Sequence, residues 1–193
     1  MFDQIDESIA KYVQLTEEER EVFHALLKHK KVKKKQFLLQ EGEVCAFETF
    51  IIKGCIRLYF IDKEGVETIL YFAVEGWWVS DLTSFMDQTP SKQFIETLED
   101  CELLMMDYRS KLTLLEKVPK LEKYYRILLQ RSIGVLQQRF YASVSQTAEE
   151  RYLAFVEKYP QVVQRVPQHQ IARYIGVSPE FLSKVKTALY RKP

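Results

Sequence analysis

The sequence predicts an α+β chain: N-terminal helices, a small antiparallel β-domain over residues 37–107, a long helix over 119–145 and a C-terminal all-helical module. Three observations carry this. Gly42, Gly54, Gly65 and Gly76 recur every 11 or 12 residues, and the runs between them (FETFII, CIRLYFI, ETILYF) are rich in β-branched and aromatic residues. Short strands with a turn every ~8–12 residues make a sandwich or barrel. Residues 120–145 contain no proline and place apolar side chains at three- and four-residue spacing, the period of a helix. Beyond residue 146 the strand pattern does not return.

Composition bounds the rest. The 193 residues are 47% apolar, 28% charged and 13% aromatic, a globular profile for one domain or two small ones. No apolar run approaches the ~18 residues of a membrane helix. The opening MFDQIDESIAKYVQL has acids where a signal peptide needs bases. Cys45, Cys55 and Cys101 are odd in number and form no CxxC pair. They are expected as reduced thiols of a cytoplasmic protein, with no structural metal.

In chain order, Thr16-Glu17-Glu18-Glu19 is a capping box opening a helix expected to reach about His29. The lysine cluster KHKKVKKK (residues 28–35) is expected to be a solvated connector to the first strand. Asp62-Lys63-Glu64-Gly65 reads as a hairpin loop, since glycine takes the positive φ such turns need. FIETL (94–98) and CELLMM (101–106) continue the strands, with Met105 and Met106 as strand core and at least one of Trp77 and Trp78 in the interior.

Pro119 suits the first turn of the long helix, where its missing N–H costs nothing. Val118, Leu121, Tyr125 and Leu128 form one apolar stripe; Leu129, Ile133, Leu136, Phe140 and Val144 form a second. Two stripes need two surfaces, and a second copy of the chain is the economical partner for one of them. The other reading is a core helix within one monomer. Thr147-Ala148-Glu149-Glu150 is a further capping box, so a boundary falls near 145–147. The expected domains are residues 1–118, 119–145 and 146–193.

The C-terminal module carries the strongest motif. In PQHQIARYIGVSPEFLSKVK (167–186), Pro167 starts a short helix and Gly176 breaks it. Ser178-Pro179 then supplies an N-cap followed by proline at the first helical position. Ala172 is small enough for two helices to approach, while Ile171, Ile175, Val177, Leu182 and Val185 fill a shared core. This is the pattern of a helix-turn-helix. Charge agrees with it. The chain totals 28 bases and 27 acids, but residues 160–193 hold six bases (Arg165, Arg173, Lys184, Lys186, Arg191, Lys192) against Glu180 alone. A basic end on an acidic body is the electrostatic footprint of double-stranded DNA binding.

Ser178, Pro179, Glu180, Ser183, Lys184 and Thr187 are expected to face outward on the second helix. Lys184 suits guanine O6/N7 and Glu180 suits cytosine N4. Ser178 at the helix N-terminus suits a phosphate. Gln168 and His169, opening the first helix, are candidates for backbone contact.

A β-region, a long helix of dimer type and a helix-turn-helix, in that order, resemble the CRP/FNR (cyclic-AMP receptor protein) regulators along nearly the whole chain. The residues that carry the resemblance are Glu41-Gly42-Glu43, Ile51-Ile52-Lys53-Gly54, Gly76-Trp77-Trp78-Val79-Ser80-Asp81-Leu82, Pro119 and the helix-turn-helix. The resemblance implies an N-terminal antiparallel β-roll of cyclic-nucleotide-binding type (a double-stranded β-helix), a dimerisation helix and a recognition helix in the major groove. It implies a homodimeric, cytoplasmic transcription regulator with double-stranded DNA as partner, allows RNA polymerase as another, and implies no membrane contact.

Family members that bind cyclic AMP use a Gly-Glu-Leu element for the ribose and an Arg-Ser pair for the phosphate. The corresponding residues here are Ser80-Asp81-Leu82 and Ser91-Lys92, and the adenine-reading Thr-Ser pair becomes Leu136-Gln137. Lys92 offers a point charge without the bidentate fork of arginine. Cyclic AMP is therefore not the expected ligand, and the effector, if there is one, is unidentified. With Trp78, these residues make the candidate effector pocket. The recognition helix also has Pro179 where well-known members have arginine, and a chain ending at Pro193 leaves no room for a wing beyond it.

An enzyme is not expected. Cupin enzymes share a β-roll but hold a metal on strand histidines, and His24, His29 and His169 all fall outside the expected β-region. There is no GxSxG and no P-loop. No cofactor is expected. The alternative function is a small-molecule or protein-interaction module that no longer binds DNA specifically.

Overall fold

The computed structural model describes residues 1–191, with side chains to Leu189. The side chain of Arg191, with Lys192 and Pro193, which enter the charge and chain-end readings, lies outside it. The chain divides into two compact units: residues 1–58 with 72–131, and residues 59–71 with 132–193.

In the first unit, α1 (Asp3–Ala10) and α2 (Glu17–Ala25) precede the strands. The expected capping box forms: the Thr16 hydroxyl accepts from Glu19 N–H, and the Glu19 carboxylate accepts from Thr16 N–H at 2.7 Å. The helix stops at Ala25, short of the expected His29, because the lysine cluster is itself a strand. β1 (Lys28–Val32) pairs antiparallel with β8 (Cys101–Asp107). Cross-strand pairs from Lys28 to Asp107 (2.9 Å) and His29 to Glu102 (2.7 Å) offset the like charges along it. The β-region thus starts at residue 28 and includes His29, correcting the expectation that it holds no histidine.

The remaining strands follow the sequence runs: β2 (Phe37–Leu39), β3 (Phe47–Lys53), β4 (Ile56–Ile61), β5 (Glu67–Ala73), β6 (Trp78–Val79) and β7 (Phe94–Thr97). They form two four-stranded sheets, ordered β1-β8-β3-β6 and β2-β7-β4-β5. Gly54, at φ +112°, makes the turn from β3 to β4 where a Cβ would strike Cys101. Two helices not anticipated interrupt the pattern, α3 (Leu82–Asp87) and α4 (Tyr108–Lys117). All three cysteines are buried and no disulfide joins them.

One core cluster of this unit packs sheet against helix. Phe50, Leu104 and Met106 from β3 and β8 pack with Ile5, Ile9, Phe23, Leu114, Leu121 and Tyr124 from the helices. The last two belong to α5 (Leu121–Ser145). It starts two residues after Pro119, which sits in the lead-in turn: Leu121 N–H donates to Val118 O and Glu122 N–H to Pro119 O, both at 3.0 Å. The first apolar stripe enters the core, with Tyr124 fully buried as well. Every member of the second is exposed, from Leu129 and Ile133 to Phe140 (72% accessible) and Val144 (76%).

In the second unit, the residues 59–71 form the end of the β4–β5 hairpin. Asp62 Oδ1 accepts from the N–H groups of Glu64 (3.0 Å) and Val66 (2.9 Å), and Gly65 takes φ +79°. The Thr147 capping box also forms, opening α6 (Ala148–Lys158). α7 (Pro160–Val163), α8 (Gln168–Ile175) and α9 (Pro179–Arg191) complete the unit. No described helix is long and apolar enough to cross a membrane.

Candidate nucleic-acid interface and roll site

The turn between α8 and α9 is built as the sequence implies. Gly176 takes the left-handed φ of +80°, and its N–H, like that of Val177, donates to Ala172 O at 3.0 Å. The Ser178 hydroxyl accepts from Phe181 N–H at 3.2 Å, capping α9. Ile171, Ala172, Ile175 and Leu182 are buried between the helices, Ala172 and Leu182 completely. With that face inward, Glu180, Lys184 and Thr187 lie on the opposite side at three- and four-residue spacing, and all three are exposed. Ser178 and Ser183 are exposed beside them, Pro179 is half-buried, and Gln168 and His169 are exposed at the start of α8. The Glu180 carboxyl is held below its usual range by its own backbone N–H and by the Ser178 hydroxyl, so it is an acceptor at neutral pH. The outward face therefore offers a cationic donor, a carboxylate acceptor and three hydroxyls.

Two arginines that the sequence analysis did not single out fix this module. A helix leaves its last carbonyls without backbone partners. At the end of α8, Tyr174 O accepts from Arg139 Nη2 at 2.6 Å and Ile175 O from Arg151 Nε at 3.1 Å. Arg151 Nη1 also donates to Gln146 O at 2.6 Å. A cation at a helix C-terminus is favoured by the macrodipole as well. Only the fold brings positions so distant in sequence to one helix end.

In the roll, the structure joins Asp81 to Ser91. Both side chains are buried, with 5% and 3% of their surface accessible. Ser91 Oγ donates to Asp81 Oδ2 at 2.7 Å, and Asp81 Oδ1 accepts from Ser84 N–H at 3.3 Å to cap α3. Ser91 Oγ also accepts from Gln93 N–H at 2.9 Å. The loop is pinned from outside: Gly42 N–H donates to Ser91 O and Ser91 N–H to Glu43 O, both at 2.8 Å. In β4, Arg57 is similarly occupied, its Nε and Nη2 both donating to Glu96 Oε2 at 2.9 and 2.6 Å.

The other pocket candidates of the first unit do not join this pair. Trp78 turns toward the helices: its Nε1 donates to the Tyr124 hydroxyl at 3.0 Å, and its ring meets Phe50 edge-on at 5.5 Å. Ser80 Oγ lies 3.6 Å from Cys45 Sγ, while Leu82 and Lys92 are exposed. Leu136 and Gln137 are exposed on α5, within the second unit. No group of three or more His, Cys, Asp or Glu side chains among the described residues is arranged to hold a metal.

Comparison with known proteins decides the fold. Residues 29–118 match the cyclic nucleotide-binding domain model. The c-di-GMP-responsive global regulator CLP of Xanthomonas campestris superposes with a TM-score of 0.76 at 15% identity, covering 91% of this chain and 92% of that one. The chain has the fold of the CRP/FNR regulators. A transcriptional regulator of the crp/fnr family from Eubacterium rectale (TM-score 0.73, 15% identity) covers 91% of this chain and 84% of its own. FixK2 from Bradyrhizobium japonicum (TM-score 0.69, 18% identity) covers 85% and 84%. No curated protein sequence matches the chain significantly. The CRP/FNR resemblance read from the glycine-punctuated strands and the helix-turn-helix is thus met at the level of fold, from the cyclic nucleotide-binding domain to the C-terminal helices.

Proposed function

We propose that this CRP/FNR-type chain is a homodimeric, sequence-specific DNA-binding transcription regulator. Residues 1–118 form its sensory part, 119–145 its dimerisation helix and 146–193 its DNA-binding part. The observation that carries the reading is the capped α8–Gly176–α9 turn, which presents Glu180, Ser183, Lys184 and Thr187 outward in a segment rich in bases. The exposed stripe Leu129, Ile133, Leu136, Phe140 and Val144 supports a second copy as partner, since packing two such stripes would remove them from water. Two recognition helices on one dimer would meet successive major grooves ~34 Å apart.

An effector at the roll would act by changing that spacing. Ser91 stands where cyclic-AMP-binding members have arginine, and its hydroxyl is bonded to Asp81, which argues for an effector other than cyclic AMP or for none. The test of DNA binding is its salt dependence. Lysine and arginine contacts to phosphate release counterions, so affinity must fall linearly on a log–log plot against salt. A flat response would replace this reading with a small-molecule or protein-interaction module.

A further inference from the structure

Arg139 lies two turns before the end of α5, and its guanidinium is engaged on three sides within the second unit. Nη1 donates to Leu70 O and Nη2 to Ile69 O at 2.7 Å, both on β5. Nη2 also donates to Tyr174 O at 2.6 Å, at the end of α8, and the guanidinium carbon sits 4.1 Å from the centre of the Tyr174 ring. Among the described residues its charge is met by carbonyl dipoles and an aromatic face rather than by a carboxylate. Burial pulls the guanidinium pKa down.

A cation removed from water needs every donor satisfied, because each one left open carries a desolvation penalty. Withdrawing either the hairpin or α8 would strand donors of the same group. The two elements are therefore expected to move together or not at all. Arg151 is the natural contrast, since it caps the neighbouring carbonyl of α8 and bonds Gln146 O, with no bond to the hairpin.

We infer that Arg139 is a positioning residue that locks the β4–β5 hairpin to the first helix of the helix-turn-helix, so that a displacement of the hairpin is passed to the Gly176 turn and to α9. The consequence for DNA rests on the function proposed above; the mechanical coupling does not.

Amide hydrogen exchange on the full chain tests the coupling. Arg139→Gln is expected to raise exchange roughly tenfold in both β5 and α8 while β3 and β8 keep their protection. Arg151→Gln should loosen α8 and leave the hairpin unchanged. Gly65→Val strains the hairpin at φ +79°, far in sequence from α8. It should loosen α8 in the wild-type background and add nothing there once Arg139 is glutamine. A simple helix cap would give no α8 response to Gly65→Val, or additive responses, and either result overturns the inference. If Arg139→Gln does not fold, Gly65→Val in wild type decides alone: an unmoved α8 overturns it. The same cycle is then read as affinity for a selected DNA site. Coupled exchange without any DNA binding would defeat the proposed function and leave the interlock standing. DNA binding with uncoupled exchange would do the reverse.

Discussion

Ser91 Oγ donates to Asp81 Oδ2 at 2.7 Å, and both residues are buried. Two residues of the candidate effector pocket are here bonded to each other. Asp81 also caps α3 and Ser91 also accepts from Gln93 N–H, so a ligand entering at this point would have to break an existing network. Asp81→Ala removes the cap and leaves the buried Ser91 hydroxyl only the Gln93 carbonyl, at 3.3 Å, as acceptor. It should lower unfolding stability by about 1–3 kcal/mol, read from the urea midpoint at constant m-value. A change within error would mean that water or another group replaces the carboxylate.

For the same reason cyclic AMP at millimolar concentration should leave the melting temperature where it is. A ligand at a hundred times its Kd stabilises a fold by about 2.7 kcal/mol. Differential scanning calorimetry showing an upward shift of several degrees would reverse the assignment.

Lys184 is exposed on the outward face of α9, one turn from Glu180. Lys184→Ala should weaken binding to a selected site by about 1–3 kcal/mol and relax base preference at one position in each half-site. Unchanged affinity and preference, by fluorescence anisotropy on a panel of single-base variants, would remove this residue from base reading.

Phe140 is a large, exposed member of the α5 stripe. A charge placed there would be buried in a dimer and solvated in a monomer. Phe140→Asp should sediment as a folded monomer where the wild type sediments as a dimer. Equal sedimentation of the two would refute this helix as the dimer contact.

Asp107 caps α4, accepting from Ser110 N–H at 2.8 Å and from Lys28 Nζ at 2.9 Å. These bonds, the Ser110 N–H first, hold its carboxyl below the ordinary value of 3.8. A carboxylate with a depressed native pKa contributes stability above its unfolded pKa and loses it as pH falls through the native one. Asp107→Ala should therefore cost about 1 kcal/mol at neutral pH. The gap to wild type should narrow below pH 3.8, and a constant gap down to pH 2 would show that ionisation contributes nothing.

Much of this was legible because it is local. The two threonine capping boxes, the glycine turns at 42, 54, 65 and 76, and the Ala172–Gly176–Ser178 spacing each depend on a few neighbouring residues, and each formed. β1 was hidden because four of its five residues are exposed and only Val32 is buried, so no alternation marks it. α4 was missed because its cap, Asp107, is also the last residue of β8. The Asp81 to Ser91 bond and the Arg139 contacts span 10, 35 and 69–70 residues. Side-chain partners at that separation leave no periodic trace in a single sequence.

Selection of binding sites from a random pool of double-stranded DNA, with the purified full chain and no added effector, tests the central claim most directly. The account predicts enrichment of a two-fold symmetric site whose half-sites are one helical turn apart, lost in the Phe140→Asp variant and relaxed at one position of each half-site in Lys184→Ala. A folded, dimeric protein that enriches no sequence would contradict it.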